Sequence, residues 1–265
     1  MARVARALGT HSTVFGLVSG YTGRSIAHMA TLEGIDGLWV WTDGESSTCS
    51  SVLDHETGRV SELVERGVPV PDGAWIELGD KLHGALLACD ALVIAGSLPP
   101  GSPPGVVLDW VRAANAGWVA VVLDVGSEAI LLEVMPEHPT LVRLTASDAA
   151  AFTGMPDPAE AAEALRAAGA RSAVVVAPAK GAFLSTESGL WRAAPIVESG
   201  PFSTGSSDAF MAGYLARHLA GAGPEASLAA AVAAGAANTF VPGPGKIYLP
   251  AFERLAPTVK LERLG

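Results

Sequence analysis

The sequence has little of what several classes of protein depend on. Its 265 residues contain two cysteines, Cys49 and Cys89, without the short spacing of a metal site, so we expect both to be reduced and structural. The six histidines form no H-x-H or i,i+4 pair, and no zinc site is expected. Lys and Arg number 17 against 27 Asp and Glu, with no basic run. This balance argues against nucleic acid and anionic membrane surfaces as partners.

Long apolar runs are also missing. The most hydrophobic stretches are interrupted by Asp, Glu, Gly or Pro before they reach the length of a bilayer span. Met1–Gly9 resembles a basic amphipathic helix rather than a signal peptide. We therefore expect a soluble, cytoplasmic protein without membrane contacts. Aromatic residues make up only 6% of a chain that is 49% hydrophobic, which favours helices packed closely on a sheet.

Short continuous apolar runs alternate with segments of helical spacing along most of the chain. This order is typical of an α/β protein with a doubly wound, mainly parallel sheet flanked by helices. Strands are predicted at Val14–Val18, Ala91–Ala95, Val119–Leu123, Leu141–Leu144 and Ala173–Ala177, and helices at Ser25–Glu33, Val106–Asn115, Ala159–Ala168 and Ser227–Asn238.

One segment departs from this order. Residues 38–71 alternate apolar and polar side chains, and a turn at Asp54–Gly58 predicts a hairpin. We expect a small β-flap, or lid, over 38–71, with 1–37 and 72–265 forming the α/β domain. An antiparallel edge of the main sheet is the alternative. Trp39 and Trp41 share one face, so either a homodimer through the flap or burial against the chain's own core is consistent with the pattern.

The stretch S-T-G-S-S-D at 203–208 opens a helix predicted to end near His218. The first N–H groups of such a helix have no intrahelical partners and attract anions, and Gly205 allows a close backbone approach. Asp208 lies in the first turn, where its carboxylate could accept a proton from a substrate hydroxyl. The same residues also describe an ordinary N-cap with an acidic first turn.

Several motifs in order resemble the ribokinase-like, or PfkB, carbohydrate kinases, and most closely the 1-phosphofructokinase and tagatose-6-phosphate kinase branch. G-S-S-D at 205–208 resembles the G-A-G-D signature, and A-G-S-L-P-P-G at 95–101 resembles the G-S-L-P-x-G loop. A-G-A-A-N at 234–238 and G-P-G at 243–245 resemble the helix and loop beside the adenine. No counterpart of the first strand or of the G-G-K-G segment precedes 1–9.

This resemblance implies transfer of a phosphoryl group from Mg²⁺-bound ATP to a hydroxyl of a sugar or sugar phosphate. It implies that Asp208 is the general base and that the backbone of Gly205, Ser206 and Ser207 forms the anion hole. The implied nucleotide-binding residues are Thr204, Lys180, Asn238, Gly243 and Gly245, and the implied Mg²⁺ ligand is Asp148. For Lys180, a solvated loop lysine is the alternative.

The sequence departs from the family pattern at functional positions. S-S-T at 46–48 replaces a T-R-T that carries a phosphate-binding arginine, and T-A-S-D at 145–148 replaces N-x-x-E. Ser207 carries a Cβ where the family has glycine. Two hypotheses therefore stand: a kinase with Asp208 as base, or a non-catalytic relative that binds a nucleotide, a metabolite or a protein. A Rossmann-type dehydrogenase is disfavoured because no G-x-G-x-x-G follows the first strand.

Overall fold

The computed structural model describes residues 1–54, 56–57 and 59–265. Helices in these residues are α1 Ala2–Ala7, α2 Gly20–Leu32, α3 Asp72–Leu86, α4 Val106–Ala116, α5 Glu128–Val134, α6 Ala146–Thr153, α7 Pro158–Ala167, α8 Ser206–His218, α9 Pro224–Asn238 and α10 Leu249–Leu255. Strands are β1 Thr13–Ser19, β2 Asp36–Thr42, β3 Cys49–Leu53, β4 Val60–Val64, β5 Ala91–Ala95, β6 Ala120–Asp124, β7 Leu141–Thr145, β8 Ala173–Ala177, β9 Gly181–Thr186, β10 Gly189–Ala193 and β11 Leu261–Arg263.

The described residues divide into two compact units, one formed by 1–11, 86–97 and 107–265 and the other by 12–85 and 98–106. The first unit holds a seven-stranded sheet in the order β11-β10-β9-β8-β7-β6-β5. Strands β5 to β8 are parallel, and β9 to β11 continue the sheet with antiparallel pairing. The predicted α/β fold with a central sheet flanked by helices is confirmed.

Both faces of this sheet are buried. On one face, Val122 and Val174 pack in a cluster with Met211 of α8 and Leu228 of α9. Their neighbours along the strands point to the opposite face, because side chains alternate along a strand. Val121, Leu123 and Val175 there are completely shielded from solvent. Burial of both faces explains why these strands are continuous Val- and Leu-rich runs, which the sequence predicts as buried parallel strands.

Helices α8 and α9 approach each other through small side chains. A Cβ atom added at Gly213 would lie 2.6 Å from the Cβ of Ala234 and 2.7 Å from the carbonyl oxygen of Ala230. Glycine at this position therefore allows the two helix backbones to come closer than side chains permit. The abundance of Ala and Gly in this part of the sequence reflects that close approach.

The second unit begins with a β-α-β arrangement in which β1 and β2 pair in parallel around α2. The predicted hairpin is present: β3 and β4 pair with each other in antiparallel fashion and form a two-stranded sheet of their own. Its predicted turn at Asp54–Gly58 includes His55 and Gly58, which lie outside the described residues. Trp39 belongs to β2 rather than to the hairpin, and its indole packs on Gly16 and Gly37.

None of the helices in the described residues has both the length and the apolar character that crossing a bilayer requires.

Candidate active site

The start of α8 is built around Gly205, the N-cap residue, which has a φ of +84° and provides no side-chain cap. A Cβ atom at this position would overlap the backbone nitrogen of Gly245, so the 243–245 loop lies directly against the helix start. Glycine satisfies both conditions, the positive φ and the close contact. The structure thus brings together two segments that the sequence predicted as parts of one site.

Asn238, the last residue of α9, holds the segment that leads into α8. Its side chain is fully buried. Its Nδ2 donates to the carbonyl oxygen of Thr204 at 3.0 Å and to Oγ of Ser206 at 3.3 Å. Within the described residues Oδ1 has no hydrogen-bond partner. The observed contacts of Asn238 and Thr204 therefore order the helix start, while their predicted contacts with a nucleotide remain predictions.

Asp208 lies in the first turn of α8 with its side chain 45% exposed. The amino group of Met1 is 3.6 Å from its Oδ1. Helix α1 packs along α8 through Val4 and Ala5, which contact Ala209 in a small apolar cluster. The carboxylate of Asp208 is therefore half-exposed, although the residues that follow it in α8 are buried.

The parallel strands bring further polar groups to one edge of the sheet. Because β5 to β8 run in the same direction, their carboxyl ends lie at the same edge, where α/β proteins bind ligands. Asp124 ends β6, Thr145 ends β7 and the turn containing Lys180 follows β8. The backbone N–H of Gly96, after β5, donates to the carbonyl oxygen of Asp124 at 3.1 Å.

Arg143 is a central residue that the sequence reasoning missed. It lies in β7 with a side chain only 8% exposed. Its Nη1 donates to Oδ1 of Asp124 at 3.0 Å, and its Nη2 donates to Oγ of Ser207 at 2.9 Å. A charged residue within the apolar strand L-V-R-L-T was the available signal, since an arginine is seldom buried unless it is paired.

Asp124 shares its electrostatic environment with the predicted site residues. Burial raises the pKa of this carboxyl group above its ordinary range, and the Arg143 guanidinium opposes that increase. The neighbouring carboxylates of Asp208 and Asp148 raise the pKa of Asp124 further. One guanidinium and three carboxylates therefore interact at this edge of the sheet.

Asp148 lies in the first turn of α6, which Thr145 caps. The Thr145 hydroxyl accepts a hydrogen bond from the backbone nitrogen of Asp148 at 3.2 Å and donates one to Oδ2 of Asp148 at 2.6 Å. The T-A-S-D segment therefore works as a helix cap. Across 1–54, 56–57 and 59–265, no group of three or more His, Cys, Asp or Glu side chains is placed to hold a metal ion.

Lys180 lies in the turn between β8 and β9, and its side chain is 60% exposed. Its Nζ is 3.9 Å from Oδ2 of Asp157, the N-cap residue of α7. The lysine predicted to meet phosphate groups is thus loosely paired with a carboxylate, at the same edge of the sheet as Thr145.

Comparison with known proteins identifies the family. The model of the pfkB family of carbohydrate kinases matches residues 1–251. The chain belongs to this family. The predicted membership is confirmed, and the family supports a carbohydrate kinase, that is, a phosphotransferase.

Curated relatives of this pfkB-family chain are sugar-phosphate kinases. The 1-phosphofructokinase of Haemophilus influenzae is 26% identical over 221 residues, which cover 81% of this chain and 70% of the relative. The 1-phosphofructokinase of Haloferax volcanii is 28% identical over 221 residues, covering 82% and 70%. The D-tagatose-1-phosphate kinase of Bacillus licheniformis is 29% identical over 145 residues, covering 55% and 46%.

Solved structures show the same fold. The phosphofructokinase-2 of Escherichia coli, in complex with substrates and products, superposes with a TM-score of 0.88 at 20% identity, covering 97% of this chain and 85% of that protein. A carbohydrate kinase from Agrobacterium tumefaciens gives a TM-score of 0.77 at 19% identity, covering 99% and 86%.

Proposed function

We propose that the chain transfers the γ-phosphoryl group of ATP to a hydroxyl group of a sugar phosphate, with Asp208 as general base. The observation that carries this proposal is the placement of Asp208 in the first turn of α8, beside N–H groups without intrahelical partners and against the 243–245 loop. The sugar-phosphate kinase activity of the curated relatives supports the reaction class.

The residues at the sheet edge suit a Mg²⁺-bound nucleotide. Magnesium prefers oxygen ligands and usually takes one or two carboxylates together with phosphate oxygens and water, so a cluster of three protein ligands is unnecessary. Asp148 provides such a carboxylate, and the N-terminus of α8 provides N–H donors for phosphate oxygens. When bound, ATP would supply the phosphoryl group, and the ion would neutralise charge on the phosphates.

In the proposed reaction, the carboxylate of Asp208 accepts the proton of the acceptor hydroxyl as that oxygen bonds to the γ-phosphorus. The bond from phosphorus to the β–γ bridging oxygen breaks, and its electron pair leaves with ADP. The backbone N–H groups of Gly205 and Ser207 stabilise the negative charge on the transferred group. The N–H of Ser206, the third predicted donor, donates to the carbonyl oxygen of Ser203 at 3.1 Å. Asn238 keeps these donors in place through Thr204 and Ser206.

The test is phosphoryl transfer by wild type and Asp208→Asn, with Mg²⁺-ATP binding measured by calorimetry on both. We expect the variant to lose at least about 100-fold in kcat while ATP affinity changes little, because general base catalysis contributes that much. Glu225→Gln is the matched control, since Glu225 is an exposed acidic residue in the first turn of α9. An undiminished rate in Asp208→Asn would disprove the role of Asp208.

The acceptor class is tested with fructose and tagatose phosphates alongside the free sugars. The S-S-T segment lacks the arginine of related lids, and its Ser46 is engaged within the unit, where Oγ accepts from the backbone nitrogen of Ser19 at 2.9 Å. Turnover of sugar phosphates only would support the proposal. Turnover of free sugars only would contradict the proposed sugar-phosphate acceptor and would make the chain a kinase of unphosphorylated sugars. Folded protein that neither binds ATP nor turns over any acceptor would favour the non-catalytic alternative.

We also propose that the β3–β4 hairpin mediates a homodimer. Apolar side chains on it are exposed, among them Val52 at 55%, Leu63 at 66% and Val64 at 70%. Exposed apolar groups on a two-stranded sheet favour association. Sedimentation equilibrium of wild type and Leu63→Glu tests this, and a wild-type monomer at micromolar concentration would contradict it.

A further inference from the structure

The guanidinium of Arg143 lies beneath the first turn of α8. Its side chain is 8% exposed, and that of its ion-pair partner Asp124 is 13% exposed. Burying an arginine is costly unless its donors are satisfied, and a partner removed from a buried pair leaves an uncompensated charge. The two Nη atoms have separate partners, Asp124 at the end of β6 and Ser207 in α8, so Arg143 links a strand end to a helix start. Nε is buried and has no hydrogen-bond partner in the described residues, so the guanidinium depends on these two bonds.

Ser207 is exposed, but its hydroxyl group points to the guanidinium of Arg143. Its Oγ accepts the hydrogen bond from Arg143 Nη2 at 2.9 Å. Hydrogen bonds to charged donors are stronger than those between neutral groups. The carboxylate of Asp208 is attached at the next residue of the same turn. A displacement of Ser207 would therefore move both the N–H donors and the proposed base.

The remaining contacts at the helix start lie on either side of Ser207. Gly205 provides no side-chain cap, Asn238 reaches the residues up to Ser206, and the amino group of Met1 lies 3.6 Å from Oδ1 of Asp208. In the described residues, Arg143 is the side chain that holds Ser207 from the sheet side. The serine that stands at a glycine position of the related motif thus has a defined partner.

We propose that Arg143 is a positioning residue which, by donating to Ser207, holds the first turn of α8 and orients Asp208 for proton transfer. The inference deepens the proposed phosphoryl transfer at this site and rests on it. Arg143 acts through Ser207 rather than by touching a substrate. The serine and the arginine form one functional pair, so the altered G-S-S-D motif is compatible with catalysis.

The experiment compares Ser207→Ala, which removes the acceptor, with Ser207→Thr, which retains a hydroxyl. Two quantities are measured: steady-state kinetics, and amide hydrogen exchange at residues 209–211, whose hydrogen bonds close the first turn. Losing a hydrogen bond to a charged group predicts about tenfold faster exchange and about tenfold lower kcat in Ser207→Ala, with KM for ATP nearly unchanged. Ser207→Thr is expected to restore most of both.

A second variant tests the partner. Arg143→Lys keeps the charge but has one nitrogen in place of the fork, so it cannot bond both Asp124 and Ser207 in the same geometry. Adding Ser207→Ala to Arg143→Lys should lower kcat little further, because both substitutions break the same bond. Fully multiplicative effects would overturn the proposed route through Ser207.

Each remaining outcome is also decisive. Unchanged exchange in Ser207→Ala would overturn the inference, and faster exchange with wild-type kcat would reduce the pair to a structural role. Wild type without turnover on any acceptor would disprove the proposed function. In that case amide exchange at residues 209–211 decides whether Arg143 holds the helix start through Ser207: faster exchange in Ser207→Ala than in Ser207→Thr supports it, and equal exchange overturns it.

Discussion

Gly213→Ala is expected to destabilise the chain although alanine is the better helix former. The added Cβ would lie 2.6 Å from the Cβ of Ala234 and 2.7 Å from the carbonyl oxygen of Ala230. Helix propensity alone favours alanine by up to about 1 kcal/mol. Overpacking of this kind costs about 1–3 kcal/mol, because backbone atoms have to move. With the full propensity gain subtracted, the net expected loss is up to about 2 kcal/mol.

The assay is urea unfolding followed by circular dichroism, with the midpoint and slope fitted for each variant. Gly84→Ala is the control: Gly84 lies in α3, and an added Cβ meets no atom within 4 Å. This control should be as stable as wild type or more stable by up to about 1 kcal/mol. If Gly213→Ala were stabilised as much as Gly84→Ala, the described contact between α8 and α9 would be refuted.

Two other predictions concern hydrogen bonds at helix ends. The backbone N–H groups of Thr22 and Tyr21 lower the pKa of Glu45 below its ordinary value of 4.5. The ionised Glu45 therefore stabilises the folded chain above pH 4.5, and this contribution is lost as the pH falls through the lowered pKa. Melting temperatures of wild type and Glu45→Gln should therefore differ at neutral pH and converge in acid, and a pH-independent difference would contradict this. Asn238→Ala should cost about 1–3 kcal/mol, because the Thr204 carbonyl loses a buried donor, and should weaken ATP binding measured by calorimetry. If Asn238→Ala kept the stability and the ATP affinity of wild type, the helix start would not depend on this contact.

Much of the fold could be predicted from the sequence because the signals are local. The strands Ala91–Ala95 and Ala173–Ala177 begin and end where the apolar runs do. Strand Val14–Val18 was predicted one residue short at each end. The predicted helix Ser25–Glu33 starts late, because the G-Y-T-G segment that opens α2 contains two glycines and the β-branched Thr22, which disfavour a helix locally. The Glu45 carboxylate, 20 or more positions along the chain, accepts from the first N–H groups of α2 and allows that start.

The candidate site also has one part that the sequence predicts and another that it does not. Gly205, Asp208 and the 243–245 loop could be selected from the sequence, because a helix start and a glycine-rich loop have local signatures. The bond between Arg143 and Ser207 spans 64 positions, and no local pattern indicates which partner a buried arginine will find. For this reason the sequence shows Ser207 only as a replacement of the family's glycine and does not indicate its partner Arg143.

The sequence by itself determined the alternation of buried strands and helices, the family, and the position of the helix start that we propose to bind phosphate. Each of these depends on periodicity or on residues adjacent in the chain. The tertiary structure decided which polar groups meet at the sheet edge. Parallel strands bring Asp124 and Arg143 together from different parts of the chain and place them under α8. Burial then favours their pairing strongly, because an uncompensated buried charge costs about 3–5 kcal/mol, a large share of the stability of a typical domain.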